Sequence, residues 1–143
     1  MLYVDTSVIV KLYVKEDRSL EVTDWVRNNN EAIPWTALHE LEFNNAIHLK
    51  EFRDEITSEE AGWIRARFTE HEERGVYYRP QLDWIDTFGL AVGLSGKHTK
   101  KTGSRSLDIL HVAAALVLEA DKFLTFDERQ SGLADLSGIV VSL

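Results

Sequence analysis

The chain contains no cysteine. Disulfides, thiolate metal sites and cysteine nucleophiles are therefore excluded. Proline is nearly as scarce, with two residues in 143, and no proline-rich linker divides the chain. A basic surplus is missing too: 16 Lys and Arg stand against 24 Asp and Glu, a formal net charge of −8. That argues against a protein that holds nucleic acid by general electrostatic attraction. It leaves room for an enzyme with a local basic patch beside an acidic, metal-filled centre. Long hydrophobic runs are also lacking. The most apolar stretch, residues 109–118, falls well short of the roughly 20 residues that span a bilayer. A strand-like run beginning at Leu2 leaves no space for a signal peptide. A cytoplasmic location without membrane association is the expectation.

What is present suits one globular domain covering residues 1–143, with 44% hydrophobic and 28% charged residues. Short apolar runs predict strands at 2–4, 32–35, 76–78, 122–125 and 139–143. Helical periodicity falls between them, at about 7–14, 20–26, 36–52, 57–75, 82–94 and 107–116, with a short helix after Asp127. Strands alternating with helices over short connections predict an α/β fold with a mostly parallel central sheet flanked by helices. The segment 107–116 is apolar on nearly every face and reads as a buried helix. In 82–94 the apolar side is Trp84, Ile85, Phe88, Ala91 and Val92. Residues 95–105 are polar and basic without an acid, and read as a flexible surface loop leading into the buried helix. The four tryptophans, Trp25, Trp35, Trp63 and Trp84, occupy apolar periodic positions expected in the core.

Four acids stand out by position. Asp5 ends the first strand and Asp127 follows the strand at 122–125, while Asp108 and Glu40 lie near the starts of two buried or partly buried helices. In a parallel sheet, strand ends and helix starts share one edge, the edge where open α/β sheets bind ligands. Four ionised carboxylates there repel one another unless a cation intervenes. With no cysteine and no histidine cluster, all-oxygen ligation favours Mg²⁺ or Mn²⁺ over zinc. Such ions activate water and polarise phosphoryl oxygens, which points to phosphodiester hydrolysis.

Each acid also has a plainer reading. Asp5, Thr6 and Ser7 are all good helix caps. Asp127 suits an Asx-turn after a strand, and Glu40 a solvated helix position. Asp108 is the hardest to dismiss, because an acid in so apolar a helix needs a partner. His111, one turn later, is a candidate partner or base, or a buried histidine bonded locally. The basic residues at 97–105 are either a solvated surface or a phosphate cradle in which Lys97, Lys100, Lys101 and Arg105 are candidate contacts, to RNA if the resemblance given below holds.

Taken together, the N-terminal strand into Asp5-Thr6-Ser7-Val8, the segment Thr36 to Leu41 with Asn44-Asn45-Ala46 behind it, Ser106 to Ala115, and Leu124-Thr125-Phe126-Asp127 resemble the PIN domain. Within it they resemble the small VapC-type toxins of type II toxin–antitoxin pairs. The resemblance implies a Rossmann-like PIN fold and an acidic catalytic quartet of Asp5, Glu40, Asp108 and Asp127. Asp5, Asp108 and Asp127 would bind the metal, and Thr6, Ser7 and Thr125 would support the acids or the bound water. It also implies Mg²⁺- or Mn²⁺-dependent endoribonuclease activity on RNA, an inhibitory VapB-like antitoxin and a homodimer. The alternative is a catalytically silent PIN-like module that acts only through antitoxin and operator binding. A receiver-type phosphoacceptor fits less well, since Asp5 stands alone and Lys122 begins its strand instead of ending it.

Overall fold

A computed structural model of the chain describes residues 1–142, so Leu143, the last residue of the expected final strand, lies outside the described residues. In chain order the elements are β1 (Leu2–Val4), α1 (Thr6–Tyr13), α2 (Ser19–Asn28), β2 (Ile33–Pro34), α3 (Ala37–Phe52), α4 (Ser58–Glu73), β3 (Tyr77–Tyr78), α5 (Trp84–Thr102), α6 (Ser106–Val117), β4 (Lys122–Leu124), α7 (Glu128–Leu136) and β5 (Val140–Ser142). They form an α/β fold of parallel strands flanked by helices. The chain divides into two compact units, Met1–Asp5 with Pro80–Leu143, and Thr6–Arg79.

In the first unit β1, β4 and β5 form one sheet in the order β1-β4-β5, every pairing parallel. Tyr3 lies opposite Phe123, and their rings stack with centroids 5.4 Å apart. Such cross-strand pairs are what hold register in a sheet this short. The ladder runs one residue beyond β1, because the Asp5 N–H donates to the Leu124 carbonyl at 2.9 Å. That bond sets Asp5 at the carboxyl end of the sheet. α6 packs against α5 and α7, and its residues from Ile109 to Ala115 are all buried.

α5 departs from the sequence reading in two ways. The stretch expected as a flexible basic loop is helical as far as Thr102, leaving only Gly103, Ser104 and Arg105 as the connection. Asp83 caps the helix by accepting the N–H groups of Ile85 and Asp86, at 2.9 and 3.1 Å. Thr99 and Thr102 donate their hydroxyls one turn back, to Ser95 Oγ and the His98 carbonyl. Lys100 and Lys101 lie in the last turn, where the helix dipole favours cations. Gly103, at φ 65°, takes the left-handed conformation that ends the helix. Ser, Gly and Thr read as breakers one by one, but the cap and the terminal glycine set the real limits. The second departure concerns which face is buried. Thr87, Ala91 and Leu94 point inward, whereas Ile85 (86% exposed), Phe88 and Val92 (72%) face solvent.

In the second unit β2 and β3 pair in parallel. Ile33 and Trp35 donate to Val76 and Tyr78 at 2.9 and 2.8 Å, so Pro34 between them is spared the donor role it cannot fill. Thr36 caps α3. His39 takes the place of the usual Glu in the capping box, its Nδ1 accepting the Thr36 N–H at 3.1 Å. Thr57 and Glu60 form the corresponding box on α4. The core is aromatic. Trp35, Phe43, Phe68 and Tyr77 pack together, with Trp35 and Phe68 centroids 4.3 Å apart. Of the four tryptophans only Trp35 is core; Trp63 is 63% exposed, and Trp25 and Trp84 are half-buried. On α3 the stripe of Leu38, Phe43 and Ile47 is buried, while Leu41 and Phe52 face solvent. Among the described residues no helix is long and apolar enough to cross a membrane.

Candidate functional site

Asp5 follows a fully buried strand and is itself buried. The Gln130 side-chain amide donates to its Oδ1 at 3.2 Å, and His111 Nε2 lies 3.8 Å from the same oxygen. His111 is buried in α6, and its Nδ1 shares a hydrogen bond with the Tyr3 hydroxyl at 2.9 Å. Both contacts reach the N-terminal strand region, 108 positions away in the case of Tyr3, and not its own helical turn. A buried line of polar groups thus runs from Tyr3 through His111 to Asp5 and Gln130. At its end Gln130 Oε1 is buried with no protein partner.

Asp108 stands at the third position of α6. Its Oδ2 accepts the Arg105 backbone N–H at 3.1 Å, one half of a capping box, and also takes Arg105 Nε at 3.2 Å. Asp127 is the N-cap of α7, its Oδ1 accepting from both the Arg129 and Gln130 N–H groups at 2.9 Å. Thr125 supports it by accepting the Asp127 N–H at 3.1 Å. The Asx-turn reading of Asp127 therefore holds for one carboxylate oxygen. The other, Oδ2, lies 3.9 Å from Arg105 Nη2. One guanidinium thus faces carboxylates from two separate helix starts. The Asp108 hydrogen bond raises the Arg105 pKa above its ordinary value, and the charges of Asp108, Asp127 and Asp5 add to that effect.

Glu40, the fourth acid, belongs to the second unit. Its Oε2 accepts the Trp35 indole N–H at 2.6 Å and pairs with Arg79 Nη1 at 3.0 Å, while Asn44 donates to Oε1 at 3.3 Å. Partial burial pushes its carboxyl toward protonation, but the indole, Arg79 and Asn44 outweigh that and hold its pKa below the ordinary value. Thr6 and Ser7 were expected to support the acids or cap a helix. Both lie inside α1: Thr6 donates its hydroxyl to Glu42 Oε1 at 2.8 Å, and Ser7 is exposed. Lys97, Lys100 and Lys101 lie exposed on the last turns of α5.

Sequence reasoning missed two members of this group. Arg105 was read as an RNA contact, yet its spacing of three from Asp108 is the capping-box interval and was a readable signal. Gln130 carried none, since nothing in a surface-type amide at the start of a short helix announces burial against Asp5.

The residues can be weighed against the metal that the acids suggest. Among the described residues no three Asp, Glu or His side chains converge closely enough to form a ready cage. The donor chemistry nevertheless fits a hard dication. Asp5, Asp108 and Asp127 are oxygen donors of one unit, and Mg²⁺ takes only one or two carboxylates directly and keeps several waters. The orphaned Gln130 Oε1 is the kind of buried acceptor that an ordered water satisfies.

No family model and no curated protein sequence matches the chain. Solved structures do. The chain has the fold of the PIN-domain toxins of the VapC and FitB type. Similar structures include VapC20 of Mycobacterium tuberculosis, a sarcin–ricin loop cleaving toxin, with a TM-score of 0.71 at 16% identity over 98% of this chain and 97% of that one. The FitAcB structure from Neisseria gonorrhoeae is similar at a TM-score of 0.67 and 15% identity, over 100% and 97%. VapBC2 of Rickettsia felis, solved bound to a promoter DNA fragment, follows at 0.64 and 13%, over 99% and 98%.

Proposed function

We propose that the protein is a single PIN domain acting as a metal-dependent endoribonuclease, the toxin of a type II toxin–antitoxin pair, and that a cognate VapB-like antitoxin silences it. The observation that carries this reading is the meeting of Asp108 and Asp127 on one guanidinium. Asp108 and Asp127 also serve as helix caps, but each turns an oxygen toward this shared cation, and Asp5 ends a strand of the same unit. Similarity to a toxin that cleaves the sarcin–ricin loop favours RNA as substrate, and similarity to FitAcB and VapBC2 favours an antitoxin partner. A homodimer is the family's usual state and is part of the same proposal.

In this reading Asp5, Asp108 and Asp127 hold Mg²⁺ or Mn²⁺. The ion supplies an activated water and charge stabilisation at the phosphoryl oxygens. The chain's own residues do the positioning. Gln130 orients the Asp5 carboxylate through its amide. Two backbone N–H groups fix Asp127, and a third fixes Asp108. Glu40 enters the acidic set on the family resemblance, as the group that orients the attacking water.

The test uses purified protein on total cellular RNA with Mg²⁺, Mn²⁺ or chelator, with the cleavage ends mapped. Cleavage should need the metal, leave 5′-phosphates, and fall by more than about 100-fold in Asp5→Asn, since even outer-shell partners of a metal site cost 10–100-fold. Parental cleavage by Asp5→Asn, or cleavage that survives the chelator, overturns the reading.

A further inference from the structure

Arg105 is only three residues from Asp108, and although its side chain is 70% exposed, its guanidinium turns back onto the acids. Its Nε takes Asp108 Oδ2, the same oxygen that accepts its backbone N–H. Its Nη2 faces Asp127 Oδ2, while Oδ1 of that residue is engaged by the helix cap. One oxygen of Asp108 and one of Asp127 therefore face the same guanidinium. A dication bound by both acids would lie close to that guanidinium, and like charges at short range repel. We propose that Arg105 is a built-in counter-cation, which neutralises Asp108 and Asp127 in the metal-free protein and which a divalent ion must displace to bind. The proposal rests on the metal-nuclease reading and adds a competitor within the same chain. It also supplies a reason why three carboxylates can share one edge of the unit without metal: part of their repulsion is relieved internally.

The consequence is measurable without any turnover. Mn²⁺ binding to the full-length protein can be followed by electron paramagnetic resonance and calorimetry. Arg105→Gln keeps a hydrogen-bonding side chain but removes the charge, and should bind Mn²⁺ up to about fivefold more tightly, the scale on which an exposed ion pair acts. Arg105→Lys keeps a cation and should stay within about twofold of the parent. Melting without metal monitors folding, and Arg105→Gln should lose part of its thermal stability and regain it as Mn²⁺ saturates. Saturable binding by the parent with equal or weaker binding by Arg105→Gln overturns the counter-cation and leaves the nuclease reading standing. Absence of saturable Mn²⁺ binding in all three proteins overturns both. Binding by Arg105→Gln where the parent shows none supports the proposal in its strongest form.

Discussion

Each unit of the chain contains an arginine shared between two carboxylates, and the two clusters are built differently. In Thr6–Arg79, Arg79 pairs with Glu40 and is clamped to Glu72 through two of its nitrogens. Glu40 is further held by the Trp35 indole and Asn44. Neutral donors and a fixed arginine thus share its charge. In the other unit Arg105 reaches each acid through one nitrogen, at 3.2 and 3.9 Å, from a short connection between helices. The first cluster is tied to the aromatic core through the Trp35 indole, while the Glu40 and Arg79 side chains stay about half exposed. The second is loosely charge-balanced, which suits groups that must exchange one cation for another. The contrast suggests that a carboxylate's function shows less in its number of partners than in how readily those partners can leave.

The largest effect that would break this contrast lies in the Glu40 cluster. Trp35 is a fully buried side chain and a hydrogen-bond donor to Glu40. Trp35→Ala should cost about 3–5 kcal/mol in chemical denaturation, the usual range for deleting a large buried aromatic. A loss below about 1 kcal/mol, the range of ordinary surface changes, would show that this cluster is no stability element.

A smaller effect separates the two duties of Asp127. Asp127→Ala removes the cap of α7 and should destabilise by about 1 kcal/mol. Asp127→Asn keeps a capping oxygen for the Arg129 and Gln130 N–H groups and should melt within a few tenths of a kcal/mol of the parent. Both should weaken Mn²⁺ binding alike, because both remove the charge. If Asp127→Asn binds Mn²⁺ as the parent does, the acid is a cap and nothing more.

Much of this was legible beforehand because buried strands and capped helices announce themselves locally. Asp5 and Asp127 could be placed because each follows an apolar run, and the starts of α3 and α4 because Thr36 and Thr57 each open a helical pattern. Periodicity shows that α5 has an apolar stripe but not which side meets the protein. Ile85, Phe88 and Val92 accordingly came out exposed while Thr87 was buried. The end of α5 was hidden for another reason: Ser, Gly and Thr are weak breakers whose effect depends on a cap at Asp83, well before the stretch begins, and on a turn at Gly103 near its end. Gln130 against Asp5 is a contact between residues 125 apart in sequence, and no local pattern encodes it.

The smallest expected effect tests whether Glu40 is held as a charge. Its pKa in the folded protein lies below the ordinary glutamate value of 4.5. A carboxylate with a depressed pKa contributes stability that is complete above its unfolded pKa and lost as the pH falls through the folded one. The loss should therefore fall below pH 4.5 and be absent near neutrality. Glu40→Gln removes the charge yet leaves an oxygen for the Trp35 indole, so comparing the two proteins isolates the ionic part. Glu16, whose carboxylate lies against Lys50 and Lys11, is also depressed overall, against the burial that favours its protonation. It is common to both proteins and cancels. Glu40 is 45% exposed at its side chain, so solvent screening should keep the difference under about 1 kcal/mol. Urea midpoints of parent and variant at pH 7 and pH 3 measure it, and the parent's advantage should shrink at the lower pH. A gap of the same size at both would mean that Arg79 and the indole hold a shape at Glu40 rather than a charge, and the contrast between the two clusters would lose its electrostatic basis.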